Sequence, residues 1–250
     1  MIVDVSAFFG HWASLPADAG AEAVRNSLKA VGVDAMFFSL LDSVWASDPN
    51  RANGVVYWVA ERFPDVYPVP VLDPTIASWR RELARAAAEP KVRLARLLPN
   101  YGYYELARVD DLLAALSESG MAALIQTRME DPRAHHPRAQ VPDLPAAAAA
   151  SVAERHPKLT VIIGGARTGE IRALGDQLRS LPNLYADVSQ ADGMNALRGL
   201  VAEGLAPKLL FGSHAPLFVP RSAMARVLTD LDDADAEAIL GGNAARLFGL

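Results

Sequence analysis

The chain has 250 residues, a net charge of −5 and no cysteine, and hydrophobic residues make up 51% of it. The acidic balance, without a basic run, argues against nucleic-acid binding, and the lack of cysteine excludes disulfides, thiolate metal ligands and a cysteine nucleophile. The first residues enter an apolar segment directly, and no apolar run reaches the roughly 18 residues of a membrane-spanning helix. We therefore expect a cytoplasmic protein without a membrane segment.

Short apolar runs alternate with helical segments along the whole chain. We predict strands over residues 2–8, 34–41, 66–72, 92–98, 122–127, 159–163, 184–188 and 208–212. Start and end signals predict helices between them, for example over 21–31, 109–119, 145–155 and 194–203. Eight strands alternating with helices, without a linker, predict a single domain over residues 1–250 with the (β/α)8 TIM-barrel fold.

Three segments carry recognisable motifs. The first strand contains Asp-Val-Ser-Ala-Phe-Phe-Gly at residues 4–10, the eighth ends in Phe-Gly-Ser-His-Ala-Pro at 211–216, and the chain closes with Gly-Gly-Asn-Ala-Ala-Arg-Leu-Phe-Gly-Leu at 241–250. In this order the motifs resemble those of amidohydrolase-related proteins, the "amidohydrolase 2" type of the amidohydrolase superfamily. The resemblance runs from end to end and implies a TIM barrel with its site at the carboxyl ends of the strands.

The resemblance also implies a metal site, which this chain has altered. The family's first strand usually reads Asp-x-His-x-His and its eighth ends Phe-Gly-Ser-Asp-x-Pro, so Ser6 and Phe8 stand where two histidine ligands are expected and His214 stands for the Asp. A histidine that ends the fifth strand in relatives is replaced by Gln126 or Arg128. Hydroxyl and phenyl groups are poor substitutes for imidazole as metal ligands. We therefore predict neither a metal ion nor another cofactor.

His214 is the strongest catalytic candidate. Barrel closure should bring it near Ser6 on the first strand and Asp187 on the seventh. A carboxylate beside an imidazole raises its basicity, which would make a general base, and Ser6 would be a hydrogen-bonding group or a nucleophile. The alternatives stay open: His214 caps a loop, Asp187 binds backbone amides, and Ser6 fills the space of a former ligand.

Further residues at the strand ends are candidates for substrate binding. Phe8 is expected to narrow the pocket floor and favour a small, flat ligand, and Arg128 to orient an acidic substrate through its guanidinium. The other candidates, for which a surface or packing role is the alternative, are His11, Trp12, Asn100, Tyr101 and His136.

Two kinds of function fit these patterns. The first is a metal-independent hydrolase of a lactone, ester or amide, or a decarboxylase, that acts on a small acidic or cyclic compound. The second is a non-catalytic barrel that binds a small molecule or a partner protein. An accessible His214–Asp187 hydrogen bond would favour the enzyme, and a pocket plugged by Phe8 and Trp12 would favour the alternative. The sequence leaves the oligomeric state undecided, and a homo-oligomer is one option.

Overall fold

Eight parallel strands form the centre of the structure, a computed structural model that describes residues 1–13, 15, 19–131, 133–134 and 140–250. Each predicted strand is present. The strands are β1 (Val3–Phe9), β2 (Ala35–Leu40), β3 (Val66–Pro68), β4 (Leu94–Leu97), β5 (Ala122–Gln126), β6 (Val161–Gly164), β7 (Leu184–Asp187) and β8 (Leu209–Leu210).

Backbone hydrogen bonds at two junctions close these strands into a barrel. After β3, the N–H of Arg96 donates to the carbonyl of Pro70 at 2.8 Å, which joins this segment to β4. On the other side, the N–H of Val5 donates to the carbonyl of Phe211 at 3.0 Å, which joins β1 to β8. The predicted TIM barrel is thus confirmed. β3 is shorter than predicted because Pro70 has no N–H for the ladder.

Helices surround the barrel and include the four predicted from sequence. They are α1 (Ala21–Lys29), α2 (Pro49–Ala52), α3 (Gly54–Arg62), α4 (Trp79–Ala88), α5 (Pro99–Gly102), α6 (Asp110–Glu118), α7 (Ala146–Arg155), α8 (Thr168–Ala173), α9 (Gly175–Ser180), α10 (Ala196–Ala202), α11 (Pro220–Asp230), α12 (Asp233–Glu237) and α13 (Asn243–Phe248). No helix in the described ranges is long and apolar enough to cross a membrane.

The helix α1 shows how the outer layer is built. Val24 and Leu28, one turn apart, are buried against the barrel. On the other side of α1, Arg25 and Lys29 pair with Asp65 at 2.8 and 3.0 Å. These pairs fasten the helix to the segment before β3, on the side of the barrel opposite the strand ends that carry the site.

A β-bulge in β1 sets the arrangement of the barrel interior. Between Asp4 and Ala7, β1 has one more residue than the paired segment of β2. In a regular strand Val5 and Phe8, three residues apart, would face opposite sides of the sheet. The extra residue lets both face the interior: Val5 packs in its lower layer, whereas Phe8 joins an apolar cluster at the strand ends.

Candidate active site

Polar side chains form a layer across the barrel interior. Alternation along β2, β4 and β5 places Ser39, Arg96 and Gln126 two residues beyond buried apolar residues of the lower layer. All three are fully buried. The Nε of Arg96 donates to the Ser39 Oγ at 2.9 Å, and an Nη of Arg96 donates to the Gln126 Oε1. We call the buried side chains of Ser6, Ser39, Arg96, Gln126, Asp187 and His214 the polar layer.

Arg96 supplies a fixed positive charge in this layer. Its guanidinium carbon lies 4.0 Å from the centroid of the Phe8 ring, a cation–π contact. Burial lowers the pKa of Arg96 to about 9, against the opposing effects of Asp187 and Asp4, so the group stays charged at neutral pH. Sequence reasoning missed Arg96. The available signal was an arginine in the middle of the apolar strand Leu94–Leu97, where a charge has no route to solvent.

Asp187 binds neighbouring backbone and a serine, not His214. Its Oδ1 accepts hydrogen bonds from the N–H groups of Gly165 and Ser189, both at 3.1 Å, and from the Ser189 Oγ at 2.6 Å. Gly165 has φ +74°, a conformation that glycine adopts without strain and that directs its N–H to the carboxylate. The alternative interpretation of Asp187, as a ligand of backbone amides, is therefore confirmed.

His214 is buried and is not the strong base that the sequence suggested. Its Nε2 contacts the Met129 carbonyl and lies 3.3 Å from the Gln190 amide nitrogen, and its Nδ1 has no hydrogen-bond partner in the described part of the chain. Donation to the carbonyl requires the proton on Nε2, which leaves Nδ1 as the free acceptor. Burial lowers the pKa of His214 to about 3, and the charge of Arg96 acts in the same direction. The prediction of raised basicity through Asp187 is wrong, because that carboxylate is bound elsewhere.

Asp4 connects the first and last strands of the barrel. Its carboxylate accepts hydrogen bonds from the Ser213 Oγ and from the N–H groups of Ser213 at 3.1 Å and Ser6 at 3.0 Å. Burial raises the pKa of Asp4 to about 6, although these hydrogen bonds act to lower it. Sequence reasoning used Asp4 only as part of a motif. The structure shows a fully buried carboxyl group beside the polar layer whose pKa is raised towards neutrality.

An apolar cluster covers the polar layer at the strand ends. We call it the upper apolar cluster; its buried members are Phe8, Trp12, Leu41, Val44, Val71, Leu98 and Met129. Phe8 points into the barrel, as predicted, and its ring meets the His214 ring edge-on at 5.0 Å. Trp12 packs beside the ring of Tyr101 at 6.4 Å. Ser6, Asp187 and His214 are fully buried beneath this cover, the arrangement named above as favouring a non-catalytic barrel.

The remaining candidates lie apart from the polar layer. His11 is exposed beside Asp42, and the Asn100 amide donates to the carbonyls of Thr127 at 3.4 Å and Pro142 at 3.3 Å. His11 therefore has the surface position given as its alternative. His136 lies outside the described residues.

Arg128 is committed to internal partners. Its guanidinium donates to both carboxylate oxygens of Glu170 at 2.7 and 3.0 Å, to Asp143 at 2.8 Å and to the Gly165 carbonyl at 2.7 Å. Its side chain is 4% exposed. The prediction that Arg128 orients a substrate is therefore not supported, because its donors hold the loops after β5 and β6 together.

A cavity of about 710 Å³ opens beside the ends of β7 and β8, and we call it the β7–β8 cavity. Serines and arginines are among its lining residues, and the ring of Phe218, which also lines it, lies 5.4 Å from the His214 ring. The lining residues are Asp131, Arg133, Arg167, Ser189, Gln190, Ala191, Asp192, Ser213, Phe218, Val219, Ser222, Ala223 and Arg226. None of the candidates predicted from sequence is among them.

The charge of the β7–β8 cavity favours an anion. Arg133 pairs with Asp131 at 2.6 Å, whereas Arg167 and Arg226 form no ion pair with any residue that the structure describes. Partial burial lowers the pKa of Arg226, and the carboxylates of Asp230 and Asp192 act to raise it. One Nη of Arg226 donates to the Val188 carbonyl at 3.4 Å. Because guanidinium groups bind carboxylates through paired hydrogen bonds, the two arginines can hold an acidic ligand.

The residues at the strand ends do not fit the metal ion of related barrels. Within the described ranges, no group of three or more His, Asp or Glu side chains is placed to hold a metal ion. At the two first-strand positions where the resemblance implies histidine ligands, the chain has Ser6 and Phe8, and Gln126, the last residue of β5, binds Arg96. The interior already contains a cation in the form of the Arg96 guanidinium.

Comparisons with known proteins agree with this architecture. The family model described as Amidohydrolase matches residues 5–250. A search of curated proteins found no match.

Several solved structures share the fold at low sequence identity. 2,6-Dihydroxybenzoate decarboxylase from Rhizobium has a TM-score of 0.72 and 18% identity, over 99% of this chain and 98% of that chain. 5-Carboxyvanillate decarboxylase from Sphingomonas paucimobilis has a TM-score of 0.74 and 16% identity, over 100% and 99%. The corresponding enzyme from Novosphingobium aromaticivorans, complexed with manganese and 4-hydroxy-3-methoxy-5-nitrobenzoic acid, has a TM-score of 0.77 and 14% identity, over 100% and 96%.

Proposed function

The chain belongs to the amidohydrolase family, and on that basis we propose that it is an enzyme that acts on a small acidic compound without a metal ion. The reaction is hydrolysis of a lactone, ester or amide, or decarboxylation. Family membership and a fold shared with decarboxylases support an enzyme. Those decarboxylases are named for acidic aromatic compounds, which are the first class of substrate to test.

The β7–β8 cavity is the observation that carries this proposal. Its volume of about 710 Å³ lies within the ordinary range for small-molecule sites. Arg167 and Arg226 would bind the carboxylate of the ligand, and the apolar side chains of Phe218 and Val219 would contact its body. The cavity lies at the carboxyl ends of the strands, where barrel enzymes hold their substrates.

Proton transfer in this site would involve the Ser213–Asp4 pair. Ser213 lines the cavity, and its hydroxyl is bonded to the buried carboxyl of Asp4. Because burial raises the pKa of Asp4 to about 6, this group can exchange a proton near neutral pH, which is what a general acid or base requires. Ser6, Asp187 and His214 remain proposed catalytic residues, but they are fully buried and would meet a substrate only if the upper apolar cluster opened. The Nδ1 of His214 would then act as an unprotonated acceptor.

A panel of small carboxylates and lactones tests the proposal. Binding would be measured by calorimetry, and turnover by chromatography of the products and by release of carbon dioxide. Replacing both cavity arginines, in Arg167→Met with Arg226→Met, should weaken binding of a carboxylate by at least about 10-fold, since a charge-assisted hydrogen bond contributes about 1.5–3 kcal/mol. The matched control is Arg108→Met, an exposed arginine paired with Glu105 outside the cavity. Equal affinity in all three proteins would refute the assignment of the site.

The non-catalytic barrel is the second candidate, and the cover over the polar layer favours it. Ser6, Asp187 and His214 are fully buried beneath the upper apolar cluster, so a ligand in the β7–β8 cavity does not reach them directly. The two candidates differ in one measurement. Binding that depends on Arg167 and Arg226 without any product after prolonged incubation would support the binding protein, whereas product formation would support the enzyme.

A further inference from the structure

We propose that Arg96 is a built-in cation that takes the place of the metal ion of related barrels and excludes such an ion from the strand ends. This inference concerns the interior of the barrel. It stands apart from the proposed substrate, since Arg96 does not line the β7–β8 cavity.

The contacts of Arg96 locate it at the altered ligand positions. Its guanidinium lies over Phe8, which stands for the second histidine of the first strand, and donates to Gln126, which ends the fifth strand where relatives have a histidine. The His214 ring, at the position of the eighth-strand Asp, packs edge-on against the same Phe8 ring at 5.0 Å. Arg96 thus contacts two of the three altered positions, and the third lies against the Phe8 ring that Arg96 covers.

The surroundings also match a cation in charge. The charges of Asp187 and Asp4 both act to raise the pKa of Arg96, although neither carboxylate forms an ion pair with its guanidinium in the described part of the chain. A fully buried charge is costly unless opposite charges and hydrogen bonds compensate for it. Arg96 meets this condition in part, through hydrogen bonds to Ser39 and Gln126 and through the charges of Asp187 and Asp4. One of its Nη atoms has no hydrogen-bond partner among the described residues. A divalent ion at the same place would meet a like charge, and His214 would be the single imidazole of the polar layer available to it.

Restoring the ligand positions tests whether Arg96 and a metal compete for one place. The base variant combines Ser6→His, Phe8→His and His214→Asp, and it is prepared with Arg96 kept and with Arg96→Met. Each protein is treated with chelator, loaded with Mn²⁺ or Zn²⁺, passed through a desalting column and measured by elemental analysis. We expect metal at close to one ion per chain only when Arg96 is replaced.

The matched control replaces a different buried arginine. Arg128→Met in the same base variant removes a guanidinium that is bound to Glu170 and Asp143 instead of the polar layer. It should leave the protein without metal. The proposal would be overturned if the base variant bound as much metal with Arg96 as with Arg96→Met. It would also be overturned if a folded base variant with Arg96→Met bound no metal.

A double-mutant cycle in the unaltered chain gives a test that does not depend on new ligands. Arg96→Met should lower the thermal midpoint by about 6–20 °C, because it leaves Asp187 without its buried cation. Asp187→Asn in that background should recover part of the loss. If Arg96→Met does not fold alone, recovery of folded protein in the double variant is the same readout.

The control for the cycle is Asp65→Asn, because Asp65 pairs with Arg25 and Lys29 on the outer layer. Its effect should add to that of Arg96→Met without coupling, as expected for distant sites. If the effect of Asp187→Asn also simply adds to that of Arg96→Met, the two side chains are not coupled. Arg96 would then not be the charge partner of the polar layer, and the proposal would fail.

Discussion

The replacement Asp4→Asn should change how the stability of the protein depends on pH. The folded state raises the pKa of Asp4 from 3.8 to about 6, so the folded protein holds a proton that the unfolded chain has released. The stabilising contribution of this group is therefore complete below about pH 4 and is lost as the pH rises through 6. At about 1.4 kcal/mol per pKa unit, the loss amounts to about 3 kcal/mol.

His214 has the opposite effect over an overlapping range. Its pKa falls from 6.5 to about 3 in the folded protein, so the unfolded chain binds a proton that the folded protein rejects. Its contribution to stability is full above pH 6.5 and falls as the pH drops towards 3, by about 5 kcal/mol in all. Between pH 4 and 6 the two slopes oppose each other, so the unaltered protein should show a shallow dependence there.

Asn at position 4 imitates the protonated acid, because its oxygen can accept from the N–H groups of Ser6 and Ser213 while its amide donates to the Ser213 Oγ. The variant should match the unaltered protein near pH 4 and exceed it by up to about 3 kcal/mol at pH 8. The assay is urea unfolding followed by tryptophan fluorescence at pH steps from 4 to 8. A difference between the two proteins that does not vary with pH would refute the raised pKa of Asp4.

Three further outcomes are expected. His214→Asn should leave the pH dependence of Asp4 unopposed, so that stability in the same urea assay rises as the pH falls from 6 to 4, and it should abolish any turnover; full turnover in a folded variant would exclude His214 from the mechanism. Phe8→Ala should destabilise the fold by about 3–5 kcal/mol, because it leaves a hole in the upper apolar cluster and removes the ring beside Arg96, and a loss below about 1 kcal/mol would contradict the packing described. Elemental analysis of the purified protein should find no stoichiometric divalent metal, and about one zinc, manganese or nickel ion per chain at the strand ends would contradict this.

The fold was predictable because it depends on patterns that a single sequence displays. Apolar runs of strand length recur eight times, and the motifs at both ends of the chain fix the first and last strands of the barrel. The exception in β1 is instructive. The β-bulge between Asp4 and Ala7 could not be predicted from the residue types, because Val5 and Ser6 are equally compatible with a regular strand.

The site was less predictable because its hydrogen bonds join residues far apart in sequence. The altered ligand positions Ser6, Phe8 and His214 were found from motifs, but the partners of these groups were not. Nothing near His214 in sequence indicates that Met129 will occupy its Nε2. Arg96 was visible as a charge in a buried strand, yet its meaning depends on Gln126 and Phe8, which come from two other strands.

The upper apolar cluster also determines how quickly the barrel interior can respond to the solvent. Arg96 and His214 are fully buried, and hydrogen exchange at such groups requires a local opening of the structure. The Nε–H of Arg96, bonded to Ser39, would therefore exchange with deuterium only when the packing around it, including the upper apolar cluster, opens. The NMR signal of this single N–H group would therefore report local opening at the carboxyl ends of the barrel strands.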